Sequence, residues 1–252
     1  MIGISIAGFD PSGGAGILAD IKTFTSLGIY GTSVITALTA QNPKKFFSTY
    51  PTVIEYIEEQ FDSIVDEYDI NYGKTGMLYS DEVIKLVHKK LKSNHIKYVV
   101  DPVMIASSGG KLSENSISKT LKNSLIKDSI LITPNVHEAE ILSGISIKNI
   151  NDEIEASNIL NEYSDVLITG GHLNGNSILN LDGKIKVLKE DLIKTNNVHG
   201  SGCSLSAAIT SYLIKGEELS VAINKANKFV RIAIENGCYQ TLGFQNISKF
   251  TR

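Results

Sequence analysis

Ile2-Gly3-Ile4-Ser5-Ile6-Ala7-Gly8-Phe9-Asp10-Pro11-Ser12-Gly13-Gly14-Ala15-Gly16 opens the chain and sets out its building unit. The apolar run at 2–7 reads as a buried strand, and the glycines and small polar residues after it as a turn. Residues 14–27 then place Ile17, Leu18, Ile21 and Phe24 on one helical face, with Gly28 where a left-handed residue ends a helix. The same alternation continues along the sequence. Residues 33–38, 96–100, 129–132 and 165–168 are further short apolar runs, with 68–72 a weaker one. Between them lie amphipathic stretches. Thr52-Val53-Ile54-Glu55 has the spacing of a capping box for a helix to about Tyr68. Ser80 with Asp81 and Glu82 opens another helix, Asn151 caps a third, and residues 202–214 and 218–236 form two long ones. Residues 177–181, Asp182-Gly183 and 184–188 read as a type I′ hairpin late in the sheet. Strands alternating with helices predict an α/β fold in three layers (α/β/α), a mostly parallel central sheet flanked by helices. No linker, repeat or low-complexity block divides residues 1–252, so one domain is expected.

The 252 residues are 42% hydrophobic and 20% charged, with a formal net charge of −3. That balance gives no electrostatic footprint for nucleic acid or an anionic membrane, and neither is expected as a partner. No run approaches the ~20 apolar residues that cross a bilayer. Residues 1–6 are too short and uncharged for a signal peptide. Cys203 and Cys238 are the two cysteines, which fits a reducing compartment, and the expectation is a cytoplasmic protein.

In parallel sheets, ligands bind beyond the carboxyl ends of the strands. Unusual polar residues should therefore follow the apolar runs, and six times they do. The glycine-rich turn at 8–16 follows the first run, Gln41-Asn42 the second, and Lys74-Thr75-Gly76-Met77 the third. Asp101-Pro102-Val103-Met104, Thr133-Pro134-Asn135 with Glu138, and Thr169-Gly170-Gly171-His172 follow the others. Near the C-terminal end, His199-Gly200-Ser201-Gly202-Cys203-Ser204 runs straight into a helix. Small residues there let successive N–H groups converge at the positive end of the helix dipole, which makes an anion cradle. A tight turn closing the preceding segment is the competing reading.

Gly73-Lys74-Thr75 is not a P-loop, because Tyr68 stands where that motif needs its first glycine. No G-x-G-x-x-G follows a strand, which leaves a nicotinamide or flavin site unsupported. Asp101 and Glu138 are the carboxylates best placed for Mg²⁺, which takes few carboxylates plus water and phosphate oxygens. Asn135 as a helix cap with Glu138 completing its box is the plainer alternative. Cys203, at a helix start where a thiol pKa tends to fall, either assists deprotonation of a hydroxyl or offers its backbone N–H alone. Gln41 both donates and accepts, which suits an aminopyrimidine edge or an ordinary loop amide.

Taken together and in this order, these segments closely resemble the hydroxymethylpyrimidine/phosphomethylpyrimidine kinases of thiamine biosynthesis, within the ribokinase-like superfamily. The resemblance spans nearly the whole chain. It implies a ribokinase-like fold and ATP-dependent phosphorylation of 4-amino-5-hydroxymethyl-2-methylpyrimidine and its monophosphate. Gln41 would read the pyrimidine, in a pocket with Gly8, Ala15, Thr39, Met77 and Val103. Gly200, Ser201, Gly202 and Cys203 would form the anion hole over the transferring group. Asn135 and Glu138, with Asp101, would manage Mg²⁺ and the ATP phosphates, near Thr169 and Gly171. Family members are typically homodimers. Two departures stand out: Thr169 and Ser107 occupy positions where relatives often carry lysine, and Lys74 is the cation that could in part substitute. A pyridoxal/pyridoxine kinase shares fold and cysteine loop, and a noncatalytic binder of a thiamine precursor is the rival from another class.

Overall fold

The computed structural model describes residues 1–104, 117–170, 175–189 and 193–244. Their strands make one sheet in the order β3-β2-β1-β4-β5-β6-β7-β8-β9. The central six, β2 (Tyr30–Asn42), β1 (Ile2–Phe9), β4 (Tyr72–Thr75), β5 (Lys97–Val100), β6 (Leu131–Ile132) and β7 (Asp165–Ile168), pair in parallel. Antiparallel strands close both edges: β3 (Lys45–Pro51) on one side, β8 (Ser177–Leu181) and β9 (Lys184–Leu188) on the other.

Helices cover both faces, because strands that are apolar on both sides must be buried on both. One face carries α2 (Ile54–Glu67), α3 (Asp81–Ser93), the short α4 (Ile117–Thr120), α5 (Val136–Ser143) and α6 (Ile150–Asn161). Phe61, Ile84, Leu91, Leu142 and Leu160 pack there against Ile4, Ile6 and Val100. The other face carries α1 (Gly16–Ser26), α7 (Ser201–Ile214) and α8 (Leu219–Glu235). Ile209, Ile223 and Phe229 close it over Val99, Leu131 and Leu167. The α/β architecture read from the alternating runs is the one observed.

Several local readings need correction. Residues 68–72 contribute only Tyr72 to a strand, since β4 continues to Thr75. Lys74 therefore lies within the sheet rather than after it, fully buried. No strand was expected at 45–51, yet β2 runs on to Asn42 and folds back as β3, with a bulge between Ala40 and Gln41. The helix after Thr52 starts at Ile54 with Val53 at its cap and no side-chain cap bond, so no capping box forms. Thr52 instead donates its N–H to Thr36 O. Asn149, not Asn151, caps α6, in a reciprocal box with Asp152. The hairpin is as read, with left-handed φ at Asp182 and Gly183 (48° and 77°).

Candidate active site

Two glycine turns from opposite ends of the chain meet at the carboxyl end of β1. Asp10, 1% exposed, organises the first. Its Oδ1 accepts Ser12 N–H at 2.9 Å, while its Oδ2 accepts Ser12 Oγ at 2.9 Å and Ala15 N–H at 3.0 Å. The same Oδ2 lies 2.8 Å from Nε2 of His199, 189 residues away in sequence. Burial alone would raise the Asp10 pKa, but the bonds from His199 and Ser12 outweigh it and hold the carboxyl below its usual range. Backbone contact continues the junction. Gly200 caps α7 with φ 84°, and a Cβ on it would stand 1.8 Å from Gly14 O. A Cβ on Gly14 would meet His199 Cδ2 at 2.4 Å. Only glycine fits either position.

At the start of α7, Ser201 N–H turns back to Val198 O and Ser204 N–H bonds Gly200 O. That leaves the N–H groups of Gly202 and Cys203 as helix-start donors without an intrahelical acceptor. Gly202 is exposed and faces open space where a side chain would stand. An anion could approach these donors directly.

Beneath the donors lies a buried charge cluster. Lys74 Nζ sits 3.1 Å from both carboxylate oxygens of Asp20 and 3.8 Å from Asp101 Oδ2. Ser5 Oγ donates to Asp20 at 2.6 Å, and Ser206 Oγ to Asp101 at 3.3 Å. Burial would drive Lys74 toward neutrality, but Asp20 and Asp101 overcome it and keep the ammonium charged. Two acids around one cation leave an excess of negative charge, and burial raises both Asp20 and Asp101. The Cys203 thiol lies beside Asp101 and offsets part of that carboxylate's burial. Its pKa goes up, not down: burial and the charges of Asp101 and Asp20 outweigh Lys74 and the Gly16 N–H. The fall expected at a helix start does not occur, because burial, with the charges of Asp101 and Asp20, disfavours the thiolate.

Asn135 and Glu138 form the capping box of α5, Asn135 Oδ1 accepting Glu138 N–H at 2.9 Å and Glu138 Oε2 accepting Asn135 N–H at 3.0 Å. The plainer reading of this pair is therefore correct as geometry. Glu138 is nevertheless 4% exposed, and its pKa is pushed up to about 8 by burial and by the charge of Asp101, against the N–H groups of Asn135 and Met104. Cap and site coincide here. Thr169 adjoins them, bridged to Asn135 with its N–H on Pro134 O at 2.9 Å. Gly171, His172 and Ser107 lie outside the described residues.

Across the first turn, Met77 and Ala37 form a small apolar cluster with Phe46, Tyr79 and Val103. Gly8 makes room for it, Met77 Sδ lying 2.7 Å from where a Cβ would be. Thr39 Oγ1 donates to Phe9 O at 3.0 Å, and Ala15 is the N-cap of α1. Gln41 Oε1 is buried with no hydrogen-bond partner among the described residues. An acceptor held so has its affinity in reserve for a ligand donor.

Sequence reasoning missed Asp20. The signal was present, since Asp20 shares the apolar face of Ile17, Ile21 and Phe24, where a charge needs a partner. Asp10 and Ser206 carried no comparable mark.

The phosphomethylpyrimidine kinase family model matches residues 10–247. A hydroxymethylpyrimidine/phosphomethylpyrimidine kinase from Aquifex aeolicus is 40% identical over 242 residues, 94% of this chain and 95% of the relative. The structure of phosphomethylpyrimidine kinase from Clostridium difficile superposes with a TM-score of 0.81 at 38% identity, covering 93% of this chain and 99% of that one. An ADP complex of Bacillus subtilis pyridoxal kinase gives 0.85 at 35% identity, covering 93% and 92%. With the matched segment holding both glycine turns and the acids between them, the chain belongs to the phosphomethylpyrimidine kinase family.

Proposed function

We propose that the protein transfers the terminal phosphoryl group of ATP to the primary alcohol of 4-amino-5-hydroxymethyl-2-methylpyrimidine, and a second one to the resulting monophosphate. The observation that carries this reading is the junction of the two turns, Asp10 Oδ2 to His199 Nε2 at 2.8 Å. It sets a small apolar pocket beside an anion cradle. Gln41 reads the aminopyrimidine edge, and Gly8, Ala15, Thr39, Met77 and Val103 line the ring. Gly200, Ser201, Gly202 and Cys203 surround the transferring group, whose charge the free N–H donors stabilise.

Asp101 and Glu138 fit Mg²⁺: they are hard oxygen donors, burial raises the pKa of both, and the charge of Asp101 adds to the rise at Glu138. Among the described residues no cluster of three metal-ligating side chains exists, which suits an ion that keeps waters and phosphate oxygens. When bound, ATP with Mg²⁺ supplies the phosphoryl group and neutralises charge on it. Asn135, Thr169 and Gly171 serve the nucleotide side, and Lys74 acts from below, through Asp101. In the first transfer, the substrate hydroxyl oxygen bonds the γ-phosphorus, the bond to ADP breaks, and the hydroxyl proton passes to an oxygen of the transferred phosphoryl group; in the second, an oxygen of the monophosphate is the nucleophile. A thiol held protonated is a poor base, so Cys203 contributes its backbone N–H. The chemistry is then mostly positioning.

The second reading is a pyridoxal kinase, favoured by the likeness to the Bacillus subtilis enzyme. Incubation with Mg-ATP and either the pyrimidine alcohol or pyridoxal, followed by product analysis, tests both. Mono- and diphosphate from the pyrimidine support the proposal. Product from pyridoxal alone reverses the assignment, and ligand binding without turnover points to a noncatalytic binder. We also propose a homodimer, formed through the exposed side chains of Leu38, Phe47, Tyr50, Val53 and Tyr56 on β2, β3 and α2. A monomeric mass by light scattering would reject it. No described helix is long and apolar enough to cross a membrane, and a cytoplasmic location is proposed.

A further inference from the structure

We propose that Asp10 and His199 form a latch that couples the two ligands, so that pyrimidine bound against the first turn tightens nucleotide binding at the second, and the reverse. The inference rests on the kinase reading above and deepens it. One carboxylate oxygen, Asp10 Oδ2, receives Ser12 Oγ, Ala15 N–H and His199 Nε2 together. A single atom thus ties together the first turn, the N-cap of α1 and His199. His199 is 5% exposed, and since its Nδ1 has no partner, Asp10 is the one hydrogen-bond partner of the ring among the described residues. The next residue is Gly200, the cap that aims the Gly202 and Cys203 N–H groups.

The two turns also touch directly where they carry glycine. Gly200 lies on Gly14 O, and Gly14 lies on the His199 ring, at separations that admit no Cβ. Behind them, His199 N–H bonds Gln240 O at 3.2 Å and bridges Thr241, which anchors the second turn to the segment that follows α8. A ligand that shifts Ala15 therefore moves Asp10, and Asp10 moves the cap of α7. Close-packed contacts of this kind transmit displacement instead of absorbing it. Coupling between two bound ligands is reciprocal, so one factor must describe both directions.

The test is calorimetric titration of Mg-ADP and of hydroxymethylpyrimidine, each alone and with the other saturating. Wild type is expected to bind each ligand several-fold more tightly in the presence of the other, by the same factor in both directions. His199→Leu should bring the coupling factor to about one, whatever its effect on the two separate affinities. His199→Gln, whose amide nitrogen reaches the place of Nε2, should restore part of it. A purely structural role would lower both separate affinities and leave their ratio unchanged. Two ligands that bind wild type without influencing each other overturn the latch alone, as does an unchanged factor in folded His199→Leu. If that variant does not fold, the wild-type factor and His199→Gln decide the matter. Wild type that binds neither ligand overturns the kinase reading, and the latch with it.

Discussion

Glu153 offers a measurement that separates burial from every other effect in the molecule. It lies in α6 with 0% exposure, and both carboxylate oxygens lack hydrogen-bond partners among the described residues. Burial alone lifts its pKa from 4.5 to about 7. The sign follows from linkage. A carboxyl whose pKa is higher folded than unfolded binds its proton more tightly in the native state, so its contribution is intact below pH 4.5 and is lost as pH rises toward 7. A rise of that size corresponds to roughly 3 kcal/mol once the pH exceeds the folded value. Glu153→Gln keeps the shape and removes the titration. Its stability by urea denaturation should lie within about 1 kcal/mol of wild type at pH 5 and exceed it by roughly 3 kcal/mol at pH 8. Because variant and wild type share every other titrating group, the difference isolates this one. A gap that is the same at both pH values, or that narrows toward pH 8, would show that Glu153 is ionised and solvated in the native state.

Gly200→Ala and Gly202→Ala make a contrasting pair. The first puts a methyl 1.8 Å from Gly14 O at φ 84°, whereas the second enters open space. Gly200→Ala should lose about 1–3 kcal/mol in a denaturant melt and nearly all turnover, while Gly202→Ala unfolds close to wild type; equal melts would mean the turns do not touch. Lys74→Met leaves Asp20 and Asp101 without their cation and should cost about 3–5 kcal/mol. Adding Asp20→Asn should recover part of that loss. Simple additivity in the double-mutant cycle would dissolve the pair.

What the sequence disclosed and what it hid divide along a physical line. Strand and helix alternation was legible because periodicity is local: Ile17, Ile21 and Phe24 mark a face without knowledge of what covers it. The residues at strand ends were legible for the same reason, since Asp101, Asn135 and Gln41 follow apolar runs where a plain turn would have sufficed. Lys74 was misplaced by one element because Tyr72-Gly73-Lys74-Thr75 has neither alternation nor an apolar run. Its place in the sheet depends on Asp20, 54 residues earlier, making a charge tolerable there. The edge strand β3 was invisible since its mostly exposed sequence lacks a clean alternation and pairs only because β2 overshoots the sheet. Cys203 shows the same limit in chemistry. A helix start argues for a lowered thiol pKa, but burial under the fold raises it, aided by Asp101 and Asp20, which strand β5 and helix α1 bring near. Whatever two distant segments decide together, single-sequence patterns leave open. The meeting of Asp10 with His199 is the most consequential case: each residue sits in a turn legible by itself, and the bond between them joins turns 189 residues apart, which neither segment discloses alone.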